Sequence, residues 1–156
     1  IWGQAPFYVY ASQIPNQTGS SGTVQAISDI ANACRARGLH MMPAARLSDP
    51  NPYIQAAVNE AKIDQNGFGL FVDLQEFSNA SSWISKWSLP LTETDLFVDF
   101  SDNVAHVAAL GSALDPTFTA LASGPNWRNV ATFGSSMPEN FSGYQAGLHT
   151  IPRKEF

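Results

Sequence analysis

The chain has 156 residues but a single cysteine, Cys34, which excludes an internal disulfide framework and a zinc site built on several thiolates. Cys34 falls on the apolar side of a predicted helix and reads as a small buried hydrophobe, since a catalytic thiol needs a partnering base. Charge is scarce too: charged residues make up 13%, roughly half the usual share for a soluble domain. The formal net charge is -5, and the basic residues Arg35, Arg37, Arg153 and Lys154 form no stripe, so nucleic acid is not an expected partner. No apolar run approaches the roughly 18 residues of a membrane span, and no signal-peptide pattern opens the chain. A cytoplasmic protein is expected. His40, His106 and His149 have no metal-ligand spacing, so no zinc is expected. "GSSG" at Gly19 to Gly22 lacks the Lys-Ser/Thr of a phosphate loop, and "FGSSMPE" is not a Gly-x-Ser-x-Gly elbow.

What is present is alternation. "PFYVYASQI" (Pro6 to Ile14) reads as a strand, and "TVQAISDIANACRARG" as a helix with Val24, Ile27, Ile30 and Cys34 inward, Thr23 able to cap its start and Gly38 after its end. "LHMMPAARL" (Leu39 to Leu47) is a second strand, which Pro43 moves toward an edge or a bulge. "DPNPYIQAAVNEAKIDQNG" is a helix with Asn51 as candidate cap, Pro52 in its first turn and Gly67 as terminator. "FGLFVDL" is a third strand, with the continuous apolar look of one covered on both faces. A helix follows around Trp83 and Trp87, then the strand "DLFVDF", helices over 103–114 and 115–124, and a fifth strand in "RNVATFGSS". Trp2, Trp83, Trp87 and Trp127 read as core. Strands alternating with helices predict an α/β fold with a parallel sheet, about five strands in one unit over residues 1–156.

The segments "FGLFVDLQEFSNA" and "DLFVDFSDNVAHV" repeat one construction, Leu-Phe-Val followed by an aspartate, 26 residues apart. In a parallel sheet the C-terminal ends of all strands point the same way, so Asp73, Asp99, Arg46 and Ser135 would lie at the end where such sheets bind ligands. Two readings stay open. Asp73 and Asp99 are catalytic, holding Mg²⁺ or serving as acid and base in hydrolysis of an anionic ester, with Arg46, Arg128 and Glu139 around an anionic ligand. Alternatively they cap the following helices, with Arg46 as a structural bridge. The polar turn "GSSMPENFSG" offers amides and hydroxyls of Ser135 and Ser136 to an anion, or serves only as a strand-to-helix turn.

At the C-terminal end the chain resembles the beta protein family of phages and bacteria. "WRNVATFGSSMPENFSG" followed by "IPRKEF" carries the likeness through Trp127, Arg128, Ser136, Pro138, Ser142, Gly143, Arg153 and Glu155; Arg46-Leu47, Asp73 and Asp99 agree with it. The resemblance implies a (β/α)8-type barrel of roughly twice this length, of which this chain is the later part, a second chain or a missing portion completing the barrel, and a phage or mobile-element setting. It implies no established reaction, and a non-catalytic interaction protein on a barrel scaffold stays open beside an enzyme. Arg153 or Glu155 is expected to return to the "WRNV" segment or the Ser135-Ser136 turn, since Arg beside strand-end acceptors gains charge-assisted hydrogen bonds.

Overall fold

The computed structural model describes residues 5–14, 22–73, 75–100, 119, 124 and 126–133. Its strands are β1 (Phe7–Val9), β2 (Met41–Arg46), β3 (Phe68–Asp73), β4 (Thr94–Asp99) and β5 (Asn129–Phe133). All neighbours are parallel, and the sheet runs in sequential order β1-β2-β3-β4-β5. Helices α1 (Gly22–Arg35), α2 (Asn51–Asp64) and α3 (Ala80–Lys86) make the crossovers among the first four strands. Sequential order with crossovers of one hand places those helices on one face, and the sheet curls into a half-barrel. The helix expected over 103–114, the one expected over 115–124 apart from residues 119 and 124, and the return of Arg153 or Glu155 lie outside the described residues.

The period-2 pattern decides which face each side chain takes. Met41, Ala45, Phe68, Leu70, Val72, Leu96 and Val98 are buried against Ile27, Ala31, Tyr53, Ile54, Val58 and Ile84 of the helices. Full burial stabilises each large aliphatic or aromatic side chain by about 1.5–3 kcal/mol. Cys34 belongs to this core, and Trp83, Trp87 and Trp127 pack against its margin. Between the helices, Arg35 at the end of α1 reaches Glu60 and, at 2.5 Å, Asp64 of α2. Tyr53 ties α2 to the sheet: its hydroxyl donates to the Ala44 carbonyl (2.8 Å) and accepts the Ala11 amide (2.9 Å).

Three local expectations are corrected. Helix α2 is capped at Pro50, whose carbonyl accepts the Tyr53 and Ile54 amides, so Asn51 is already helical and makes no cap. It ends at Gln65, in the left-handed region at φ 53°, two residues before Gly67. Pro43 stands neither on an edge strand nor at a bulge. β2 pairs with β1 through Met41 to Pro43 and with β3 through Ala44 to Arg46, so the proline falls where pairing passes from one neighbour to the other.

Candidate functional site

Residues opposite the helical face line the concave side of the sheet: Tyr8 and Tyr10, Met42, Ala44 and Arg46, Gly69, Phe71 and Asp73, Asp95, Phe97 and Asp99, Asn129, Ala131 and Phe133. The repeated segments explain their layering. β3 and β4 keep one register from Phe68↔Thr94 to Asp73↔Asp99, so Phe71 lies beside Phe97 and Asp73 beside Asp99. The Phe71 and Phe97 rings stack with centroids 4.9 Å apart. Tyr8 meets Phe97 edge-on at 4.8 Å, and Phe133 meets Phe71 edge-on at 5.9 Å. A continuous aromatic band crosses the middle of this face.

Above the band, at the C-terminal ends of the strands, Arg46 crosses β3. Its guanidinium carbon lies 5.8 Å from the Phe71 ring centroid, and Nη2 donates to Asp99 Oδ2 at 3.0 Å. Burial works against the Arg46 charge, but the Asp99 hydrogen bond and field outweigh it and raise the pKa above the ordinary arginine value. Asp49 fixes the root of the side chain, accepting the Arg46 amide (2.7 Å), the Tyr10 hydroxyl (2.9 Å) and the Ser12 hydroxyl (2.6 Å). Asp73 is held locally: Oδ1 accepts the Gln75 and Glu76 amides at 2.8 and 2.7 Å, while its own amide donates to Glu76. Thus Arg46 and Asp99 meet directly, and Asp73 stands beside them in register.

Below the band is a second polar layer. Asp95 is 2% exposed and accepts four donors: Tyr8 Oη, Arg128 Nε (2.8 Å), Arg128 Nη2 (2.5 Å) and Asn129 Nδ2 (2.8 Å). Burial pushes the Asp95 carboxyl up, but hydrogen bonds from Arg128, Tyr8 and Asn129 outweigh it and hold the pKa below the ordinary aspartate value. Burial, reinforced by Asp95, pushes Tyr8 up to about 12. Arg128 also donates to the Asn66 carbonyl at 2.8 Å. Tyr8 reaches Asp95 from β1 by lying across Ala44 and Gly69; a Cβ on Gly69 would stand 2.9 Å from the Tyr8 ring.

Of the site residues expected from sequence, Arg46, Asp73 and Asp99 share the C-terminal rim. Arg128 lies at the other end of the strands, about 13 Å away along β4 at four residues' rise. Ser135, Ser136, Glu139 and Arg153 lie outside the described residues. Sequence reasoning passed over Asp49, Asp95, Tyr8 and Tyr10, although the alternation in "DLFVDF" signals Asp95 by placing it on one face with Phe97 and Asp99. Among the described residues no three His, Cys, Asp or Glu side chains group as a metal site, and no helix is long and apolar enough to cross a membrane. In comparisons with known proteins, residues 1–156 match the family model described as Beta protein. No curated protein and no solved structure matches the chain.

Proposed function

Because the chain belongs to the Beta protein family over residues 1–156, a family from which no reaction carries over, we propose a function from the chemistry of the C-terminal rim: a small-molecule site in which Arg46 receives the anionic group of a ligand. One observation carries this reading. The Arg46 side chain, 36% exposed, commits one nitrogen to Asp99, and among the described residues its Nε and Nη1 make no hydrogen bond. Packing on Phe71 and the Asp49 contact to its backbone hold the fork in place, which favours bidentate recognition of carboxylate or phosphate. Asp99 orients the guanidinium. The phage or mobile-element setting and a cytoplasmic location belong to this reading, as does a second chain completing the barrel.

Hydrolysis of an anionic ester, with Asp73 and Asp99 as acid and base or on Mg²⁺, is less well supported. Asp73 Oδ1 is taken by two turn amides and Asp99 by Arg46. Titration of the chain with acetate and with inorganic phosphate, followed by calorimetry, tests the proposal. Binding that weakens in Arg46→Lys and vanishes in Arg46→Met is expected, since lysine keeps the charge but not the fork. Equal binding by wild type and Arg46→Met, or none by wild type, would overturn it.

A further inference from the structure

The rim is not of one sign. Asp49, Asp73, Glu76 and Asp99 stand at this end with Arg46, so among the described residues carboxylates outnumber the guanidinium, and a simple anion binds more weakly here than one that carries its own cation. Asp73 has capacity to spare, because Oδ1 takes both turn amides and Oδ2 makes no hydrogen bond among the described residues. Opposite Arg46, Phe133 pairs with Asp99 across β4 and β5 and is 40% exposed. It continues the aromatic band to the rim through its contact with Phe71. One donor fork, one available carboxylate oxygen and one exposed ring therefore lie on β2, β3 and β5, a span of about 14 Å at the usual strand spacing, which the reach of Arg46 over Phe71 shortens.

Resting on the reading of Arg46 as the anion-binding group, we infer that the ligand is a small zwitterion carrying an aromatic ring, in class an aromatic α-amino acid. Its carboxylate sits on Arg46, its ammonium on Asp73, and its ring against Phe133. The ligand's own cation offsets the acidic surroundings that weaken the hold on a bare anion. The ring gains contact area that a short-chain amino acid lacks.

The test is calorimetric titration of the whole chain with phenylalanine, 3-phenylpropionate, phenethylamine and alanine. Phenylalanine should bind about tenfold or more tightly than each of the others, the scale of one charge-assisted contact for phenylpropionate and phenethylamine and of one buried ring contact for alanine. Asp73→Asn, which keeps an acceptor for the turn amides, should abolish the preference over phenylpropionate. Phe133→Ala should abolish the preference over alanine, with circular dichroism confirming that each variant folds. Phenylpropionate binding as tightly as phenylalanine, and losing affinity in Arg46→Met, would overturn the zwitterion while leaving the anion site standing. Alanine binding as tightly as phenylalanine would remove the ring. No binding by any of the carboxylates, or binding indifferent to Arg46→Met, would remove both.

Discussion

Replacing Asp95 with alanine should destabilise the protein by about 3–5 kcal/mol, the usual cost of removing one partner from a buried ion pair. The structure favours the lower part of that range. Asp95 receives hydrogen bonds from Tyr8, Asn129 and two Arg128 nitrogens, and its side chain is 3% exposed, so its loss deprives the Arg128 guanidinium of its carboxylate, while Tyr8 and Asn129 are exposed enough to turn to water. The Arg128 side chain is 29% exposed and keeps the Asn66 carbonyl, so water and that acceptor recover part of the cost. Urea unfolding at neutral pH, followed by tryptophan fluorescence, measures the loss. In a cycle with Arg128→Met the double variant should be less destabilised than the sum of the singles by about 1–3 kcal/mol. A second signature is the acid limb. Because the Asp95 pKa is lowered on folding, its contribution is present above the unfolded aspartate value near 4 and is lost as pH falls through the lower folded value. Asp95→Ala should therefore flatten stability against pH below about 4. A loss under about 1 kcal/mol, or additive single variants, would refute the account of this layer.

Gly69→Ala should cost about 1–3 kcal/mol in thermal unfolding, because the new methyl meets the Tyr8 ring and the Ala44 methyl; Tyr8→Leu in the same chain should recover part of that, and no recovery counts against Tyr8 as the obstacle. Absorbance titration should find Tyr8 and Tyr53 ionising near 12. Since both values are raised on folding, their stabilisation holds below the unfolded value near 10 and fades as pH rises through 12; a tyrosine titration complete by about pH 10.5 contradicts this. Asp99→Asn should lower stability by no more than about 1 kcal/mol, the scale of a partly exposed pair, while weakening ligand binding at Arg46; a larger loss with unchanged binding assigns Asp99 to the fold alone. Light scattering should show association, because every residue of β5 is exposed, Val130 and Phe133 each at 40%; a strictly monomeric species at high concentration removes the second-chain reading.

The parallel sheet and the helical face of its core were legible because they rest on periodicity: Phe68, Leu70 and Val72 alternate, and so do Leu96 and Val98. That Asp73 and Asp99 share the C-terminal end of the sheet was legible from the repeated strand-Asp segments, while their direct pairing in register is a finding of the structure. The concave side was harder. Tyr8 reaches Asp95 only because Ala44 and Gly69 are small on the strands between them, a condition spread over four strands that no local window contains. Arg128 looked like a companion of the other strand-end residues. It precedes β5, as its place at the head of "RNVATFGSS" already implied, so its charge stands at the opposite end of the sheet from the rim. Asn51 failed as a cap because Pro50 already provides the extended backbone and the carbonyl that open the helix.

The reach of Arg128 also bears on how the chain folds as it is made. This one side chain bonds to groups 33 and 62 residues earlier, and it acts beside a tyrosine 87 residues upstream of Asp95. Strands β1 to β4 can align through their helices, but until residue 128 arrives the carboxylate on β4 has only Tyr8 among its donors. Loop closure over such separations is slow, and its entropy is lost before the contact returns anything. The lower polar layer is therefore expected to close late: weakening it should speed unfolding far more than it slows folding, and a nascent chain that stops short of Arg128 should leave Asp95 on an open strand edge, its charge met by water instead of a guanidinium.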